Sequence, residues 1–348
     1  MPTLQNYSLN LNTFFNIMHT NQTNIFSNDI FNSAIATYSI SAAYELKILD
    51  EIQHIGFINI KNFCDDKDLH VSSVKAIISA LCCVDICTPG NDKDTFKKGS
   101  LFTEIYQNKG FFLWLTRGYG YLMQNLASIS INSNRVSDFI KRDGKSIAIA
   151  SREQGSVMVD PYFEKVLLEL PFNTVVDLGC GSGERLIKLA KKYPFVSGIG
   201  IDINSKAVAL ASDCIDQEEL SARITVLQRD MRYLEAQNEF EDVDTLFSFF
   251  CGHDMWPRDK CLQLMQNLRK VFPNLKRFLL CDTYRSDIIP SDNIPVFTLG
   301  FETVHAVVGQ YVPSLSEWMD LFAESGWKCV GQNEVEAPFS TIFDLRPN

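Results

Sequence analysis

The sequence predicts an α/β protein: a doubly wound, Rossmann-like sheet in the C-terminal half, preceded by a mainly helical, winged-helix-like domain. Two observations predict the sheet. The stretch Val175-Val-Asp-Leu-Gly-Cys-Gly-Ser-Gly-Glu184 reads as a buried strand that ends in an acid and a glycine-rich turn. A helical pattern from Glu184 to Lys192 follows, then a second strand, Val196 to Asp202, that ends in another acid. Strand, glycine turn, helix and strand make a nucleotide-binding βαβ unit, because glycine lets a ligand touch the backbone there. A third observation, an apolar period of helical type between Ile30 and Leu49, predicts the helical N-terminal half.

Taken in order, residues 1–27 are polar and asparagine-rich and read as an arm or short extra helix. Residues 28–165 form the helical domain. Ile30, Ala34, Tyr38, Ala42, Leu46 and Leu49 share one helical face, and helices follow at Ile60–Cys64 and Ser72–Cys83. Val84-Asp-Ile-Cys-Thr and the Pro-Gly-Asn-Asp turn after it read as a small β-wing. The recognition-type helix around Ser72 to Leu81 carries one lysine and is otherwise apolar, which suits dimerisation better than DNA reading. Residues 100–165 supply linking helices. Residues 166–348 form the catalytic domain, with strands at Thr174–Leu178, Gly198–Asp202, Ile224–Gln228, Val243–Phe249 and Arg277–Leu280. A closing hairpin, Trp327 to Glu334 and Ser340 to Leu345, predicts an antiparallel edge strand.

The totals agree with an intracellular enzyme of two domains. The chain has 348 residues, 46% of them hydrophobic, and a net charge of −10 with no basic run, which argues against nucleic acid as partner. No apolar stretch reaches the roughly 20 residues of a membrane span, and the N-terminus has no apolar signal core. Ten cysteines sit in apolar patterns without paired spacing, so free thiols in a reducing cytoplasm and no structural zinc are expected.

The glycine spacing narrows the ligand. A dinucleotide fingerprint beginning at Gly179 needs its third glycine at 184, which is Glu. Asp177, Gly179, Gly181 and Gly183 instead match the S-adenosylmethionine (SAM) pattern of class I methyltransferases. Asp202 lies about 20 residues beyond the glycines, where a carboxylate accepts ribose hydroxyls. Asp230, after the strand Val226–Gln228, is placed to receive the adenine amino group, and Ile203, Met231 and Phe250 complete the expected cofactor contacts.

The catalytic half has two histidines. His253 follows the fourth strand in Phe249-Phe-Cys-Gly-His-Asp-Met-Trp256, so it and Asp254 should face the cleft beyond the strand ends. His305 lies in an apolar helical pattern with Glu302. Two histidines and a carboxylate suit a facial metal site. From the pattern alone, His253 as a lone base toward a hydroxyl, with His305 a core residue, is the better reading; Asp282 is a possible base where a carbon is deprotonated instead. Trp114, Tyr119, Phe249, Phe250 and Met255 suggest a pocket with aromatic walls.

From about Ile30 to Leu345 the chain resembles the α-keto acid C-methyltransferases of peptide-antibiotic pathways. The resemblance rests on Ile30-Phe-Asn-Ser, Phe112-Leu-Trp-Leu, Asp177 to Ile187, Gly252-His-Asp-Met-Trp-Pro-Arg258 and Pro295-Val-Phe-Thr-Leu-Gly-Phe-Glu302. It implies a homodimer whose helical domain caps the site, and one metal ion, iron or else zinc, on His253, Asp254 and His305. It further implies Trp114 in the pocket and Arg142 orienting the substrate, with Tyr119 departing from the family pattern. The activity it implies is methylation of the β-carbon of an α-keto acid, phenylpyruvate-like or branched, in natural-product biosynthesis. Metal-free O-methylation of a small molecule, with His253 as base, is the alternative.

Overall fold

The computed structural model describes residues 26–137, 139–287 and 294–348. The expected arm of residues 1–27 lies almost wholly outside them. The described residues form two compact units, one running to Ile105 and the other from Tyr106 to Asn348.

In the first unit, helices α1 (Ser27–Glu45), α2 (Ile48–Ile55), α3 (Ile60–Lys67) and α4 (Val71–Cys82) accompany a small sheet of β1 (Phe57–Asn59), β2 (Cys87–Pro89) and β3 (Thr95–Lys98). All pairings are antiparallel, in the order β1-β3-β2. Two details differ from the sequence reading. Lys47 takes a left-handed conformation, φ 64°, so the long first helix breaks there. The buried face of α1 is Ala36, Ile40, Ala43 and Tyr44, whereas the expected face members Ile30 and Tyr38 are 66% and 50% exposed. Small residues put this helix close to its neighbours, so packing chose the face against hydrophobicity.

The second unit begins in α5 (Phe102–Leu113), which runs into a π-helical turn at Trp114–Gly118. It continues with α6 (Gly120–Gln124), α7 (Leu126–Ile129), α8 (Gly144–Met158) and α9 (Asp160–Leu167). Asp143 starts α8, its carboxylate accepting from the backbone of Lys145 and Ser146 at 3.0 and 3.2 Å. Then strands and helices alternate: β4 (Thr174–Leu178), α10 (Glu184–Lys192), β5 (Ser197–Asp202), α11 (Ser205–Gln217), β6 (Ile224–Gln228), β7 (Thr245–Phe249), α12 (Arg258–Val271) and β8 (Arg277–Thr283). The unit closes with α13 (Thr298–Val308), α14 (Leu315–Glu324), β9 (Trp327–Glu334) and β10 (Ser340–Pro347).

These strands form one seven-stranded sheet in the order β6-β5-β4-β7-β8-β10-β9. Its strands β4, β5, β7, β8 and β10 are buried on both faces, and alternation divides their side chains. Val176, Leu178, Leu246 and Leu280 pack with Leu264, Leu268 and Trp318 on one side. Val175, Phe247, Leu279 and Ile342 pack with Phe163 and Leu186 on the other. The antiparallel strand β10 lies one place inside the sheet, between β8 and β9, which corrects its expected edge position. The burial patterns explain this: β10 is buried over its first six residues, while β9 alternates buried and open, as an edge strand does. Strand order reverses between β4 and β7, so the loops after these two strands flank the cleft where ligands bind in such sheets.

One buried ion pair fixes the reversed strand. Arg277, 1% exposed on β8, grips Asp344 of β10 through two hydrogen bonds, 3.1 and 2.8 Å, and donates to the Leu167 carbonyl at 3.1 Å. Removing one partner strands a charge in the core, a loss of about 3–5 kcal/mol. Asp344→Ala should lose that much in a chemical denaturation series, whereas the double replacement Arg277→Met with Asp344→Leu should lose clearly less.

Candidate active site

The glycine turn after β4 has the open backbone its sequence predicts. Gly179, Gly181 and Gly183 all have positive φ, 83°, 54° and 71°. A Cβ on Gly181 would meet nothing within 4 Å, so a ligand has room against that backbone. Gly179 differs: its Cβ would stand 2.7 Å from Cys251 Sγ, so this glycine admits the loop after β7. A Cβ on Gly183 would stand 3.3 Å from Ala211 of α11, so this glycine also lets that helix pack close.

Asp177 is the unusual group here. Its carboxylate is buried with neither oxygen hydrogen-bonded, and burial raises its pKa to about 7 despite the Arg185 charge nearby. A buried carboxylate without partners calls for a cation. SAM carries two, an ammonium and a sulfonium, so these residues fit that cofactor.

The remaining expected cofactor contacts are placed as follows. Asp202 ends β5 and accepts from Gly181 N at 3.0 Å and Asn204 N at 2.8 Å, which ties the second strand to the glycine turn. Ile203 beyond it is 60% exposed. Asp230 is gripped by Arg232 through both carboxylate oxygens, so its lone pairs are partly occupied. Met231 packs partly buried against the core. Phe250, in the left-handed region at φ 54°, donates its N–H to the Cys281 carbonyl at 2.8 Å and turns the chain toward the cleft.

Below this turn lies a cavity of about 140 Å³. His253, Asp254, His305, Trp114, Tyr119 and Arg142, the residues singled out in the sequence, all line it. The two imidazoles meet edge to face with centroids 4.8 Å apart. Their protons can be assigned from their partners. His305 Nδ1 stands 2.7 Å from the Phe301 carbonyl, an acceptor only, so Nδ1 carries the hydrogen and Nε2 a lone pair. His253 Nδ1 likewise donates to Asp282 Oδ1 at 2.8 Å. The two rings differ in charge affinity. Burial and the neighbouring His253 lower the pKa of His305 to about 4, so it is neutral. Burial also pulls His253 down, but Asp282 outweighs it and holds His253 above the usual histidine value.

Asp282 itself is fully buried behind His253 and lies outside the cavity wall, so the candidate base acts through His253. Met255 is corrected too: it is 1% exposed and packs in the core with Leu264 and Met265, away from the cavity. The 3₁₀ turn His253–Met255 sends neighbouring side chains to different sides. Phe249 stacks under the Arg185 guanidinium at 3.6 Å and belongs to the sheet core.

The resemblance implies a metal on His253, Asp254 and His305. In their neutral forms both histidines offer Nε2 lone pairs, with Nδ1 secured as metal-bound histidines require. Asp254, however, accepts a hydrogen bond from Gln310. Among the described residues, no three His, Cys, Asp or Glu side chains are grouped so as to hold a metal ion. The three-ligand set is thus not assembled, and no step below is routed through a metal.

Several lining residues escaped the sequence reading. Phe297, in the left-handed region at φ 78°, stacks on Phe111 at 4.4 Å and meets Trp114 edge-on at 5.1 Å. Phe301 lies 4.0 Å from His305, ring centre to ring centre. Gln310 and Gln154 also face the cavity. Gln154 left a signal: it occupies the apolar register of α8, with Ile147 and Ala150 on the same face. Tyr119 lines the cavity with Arg142 and packs on Trp114 at 4.5 Å.

Comparison with known proteins agrees with this geometry. Residues 175–273 match the methyltransferase domain family. The chain is 36% identical to methyltransferase ungE' of Aspergillus campestris (strain IBT 28561), over 91% of this chain and 95% of that one. It is 27% identical to the indolepyruvate C-methyltransferase of Streptomyces griseus, over 91% and 94% of the two chains. Among solved structures, human N-acetylserotonin methyltransferase in complex with SAM aligns with a TM-score of 0.66 over 100% of both chains, at 14% identity. Mitomycin 7-O-methyltransferase aligns with a TM-score of 0.65 over 92% of this chain and 96% of its own, at 19% identity, so these two share the fold. No helix among the described residues is long and apolar enough to cross a membrane. With a glycine turn open to a ligand, a cation-seeking carboxylate beside it and a relative matched along nearly its whole length, this chain belongs to the SAM-dependent methyltransferases.

Proposed function

We propose that the enzyme methylates the β-carbon of an α-keto acid carrying an aryl side chain. The observation that carries this reading is the pair of adjoining imidazoles, His253 and His305, both fixed through Nδ1 and both opening on an aromatic cavity that also holds Arg142. A lone hydroxyl-deprotonating base needs one histidine. The second, His305, is a neutral acceptor at Nε2, suited to hold the hydroxyl of an enol, the tautomer through which a keto acid reacts at carbon. The full-length similarity to an indolepyruvate C-methyltransferase supports the same choice.

The chain's own groups account for the steps. Arg142, with donors only, receives the substrate carboxylate in a forked pair. Trp114, Phe297 and Phe301 hold the aryl group and exclude water. His253 Nε2, in its unprotonated form, takes the β-proton, and the Asp282 contact that raises its proton affinity steadies the imidazolium that results. The enolate so formed is nucleophilic at its β-carbon. Bound SAM supplies the methyl electrophile on its sulfonium, with Asp177 and the Gly181 backbone as its seat, leaving S-adenosylhomocysteine and a β-methyl α-keto acid. Placing both reactants in one cleft contributes up to roughly 7–11 kcal/mol to the rate.

O-methylation with His253 as base is the second reading, favoured by the His253–Asp282 hydrogen bond. His305→Ala separates the two. C-methylation expects kcat/KM on aryl α-keto acids to fall by about a hundredfold or more. An unaffected variant, or an O-methyl product by NMR, would sink the reading. Iron and zinc analysis of the same two proteins completes the test. One equivalent in the parent, lost in the variant, would mean that Asp254 leaves Gln310 to complete a ligand set. A metal-free, active parent would leave enolisation to His253 and Arg142.

Asp177 makes a separate prediction. Its folded pKa lies above its unfolded value, so its contribution to stability is greatest below about pH 4 and is lost as pH rises to about 7. The loss amounts to about 3–4 kcal/mol in the ligand-free protein. Asp177→Asn should therefore raise the melting temperature at pH 8 without SAM. It should also weaken SAM binding by about tenfold or more, measured by calorimetry, because a charged hydrogen-bond acceptor is gone.

A further inference from the structure

Gln154 lies on the cavity wall and has no part in the chemistry above. It is 6% exposed, on the face of α8 that also carries Ile147, Ala150 and Ser151 to the cavity. Its Oε1 accepts the Gly110 N–H at 3.2 Å. Gly110 is glycine for that reason: a Cβ there would stand 2.7 Å from Oε1. The bond fixes the amide, so Nε2 is the end left over. The partner of Nε2 is Met158 Sδ at 3.6 Å, a weak acceptor. An amide nitrogen carries two protons, so one donor in the wall is unspent.

A run of ring contacts joins the imidazoles to the residue beside Gly110. His253 meets His305, His305 meets Phe301 at 4.0 Å, Phe301 meets Phe297 at 5.2 Å, and Phe297 meets Phe111 at 4.4 Å. Phe111 adjoins Gly110, the partner of Gln154. Gln154, the two imidazoles and these rings line one cavity. A substrate whose keto acid sits by the imidazoles has the rest of this cavity, with Gln154 on its wall, for its ring.

Resting on the aryl α-keto acid reading, we propose that Gln154 reads the far end of the substrate ring by donating from Nε2 to a phenolic oxygen. The preferred substrate is then a hydroxylated aryl keto acid of the 4-hydroxyphenylpyruvate class. Unsubstituted phenylpyruvate leaves the donor unmatched, and an indole N–H, itself a donor, offers it no acceptor.

The test titrates the protein, saturated with S-adenosylhomocysteine, with 4-hydroxyphenylpyruvate, phenylpyruvate and indole-3-pyruvate by calorimetry. The hydroxylated acid should bind about tenfold more tightly than phenylpyruvate. Gln154→Met keeps the side-chain length and removes the amide. Gln154→Glu keeps an acceptor for the Gly110 N–H and lacks the donor. Both should bring the ratio to within about twofold. A purely structural role would weaken all three ligands alike and leave the ratio standing, which overturns the proposal. So does equal binding by the parent protein, a result that needs no variant to fold. Products are identified by NMR in parallel: O-methyl products with the binding preference intact would overturn the C-methylation reading and support the role of Gln154.

Discussion

The site depends on one buried carboxylate. Asp282, in β8, lies next to the loop that leaves β7, and it binds that loop twice, through the His253 backbone N–H and through its ring. Its Oδ1 also accepts from Thr283 N at 2.9 Å, so the carboxylate is well satisfied although it is wholly buried. Gly252 is part of the same device. A Cβ there would stand 2.5 Å from Asp282 Oδ2, so the loop reaches the carboxylate only because this position has no side chain. Once these bonds form, the His253 ring has one orientation, one Nδ1–H and one free nitrogen facing the cavity.

The second imidazole is fixed from a different direction. His305 sits on α13 and gives its Nδ1 hydrogen to a carbonyl one turn back, so the helix itself sets the ring. Trp114, on the π-helical turn, stacks near it at 6.5 Å. Such a turn shifts the side-chain register by one residue relative to an α-helix, which is how Trp114 and Tyr119 both come to face the cavity. Phe250 and Phe297, both non-glycine residues with positive φ, border the same cavity. Backbone strain of this kind persists only where surrounding contacts hold it; the Phe111 and Trp114 rings hold Phe297, and the Cys281 carbonyl holds Phe250.

The contrast between Asp177 and Asp282 shows how one chain uses two buried carboxylates. Asp282 has hydrogen-bond donors on both oxygens and serves as a fixed anion behind a base. Asp177 has none, and burial pushes its proton affinity up until a cation arrives. The first is complete within the protein. The second is incomplete without a ligand, and it stands at the end of the strand that leads into the glycine turn.

The sequence by itself determined the sheet. Period-two apolar runs, acids at strand ends and Gly179, Gly181 and Gly183 are local features, and local backbone preference suffices to place β4, α10 and β5 within a residue or two. It also identified His253, Asp254, His305, Trp114, Tyr119 and Arg142, which the fold brings to one cavity. Tertiary structure alone decided the rest. Met255 went to the core because a 3₁₀ turn, invisible in the residue pattern, directs it there. Asp254 met Gln310 across 56 positions of chain, and Gln154 met Gly110 across 44, pairings that no local period encodes. Strand β10 is held beside β8 by the pairing of Arg277 with Asp344, 67 positions apart in the chain. A side chain's chemistry can be read from the sequence, but its partner is set by the packing of distant segments.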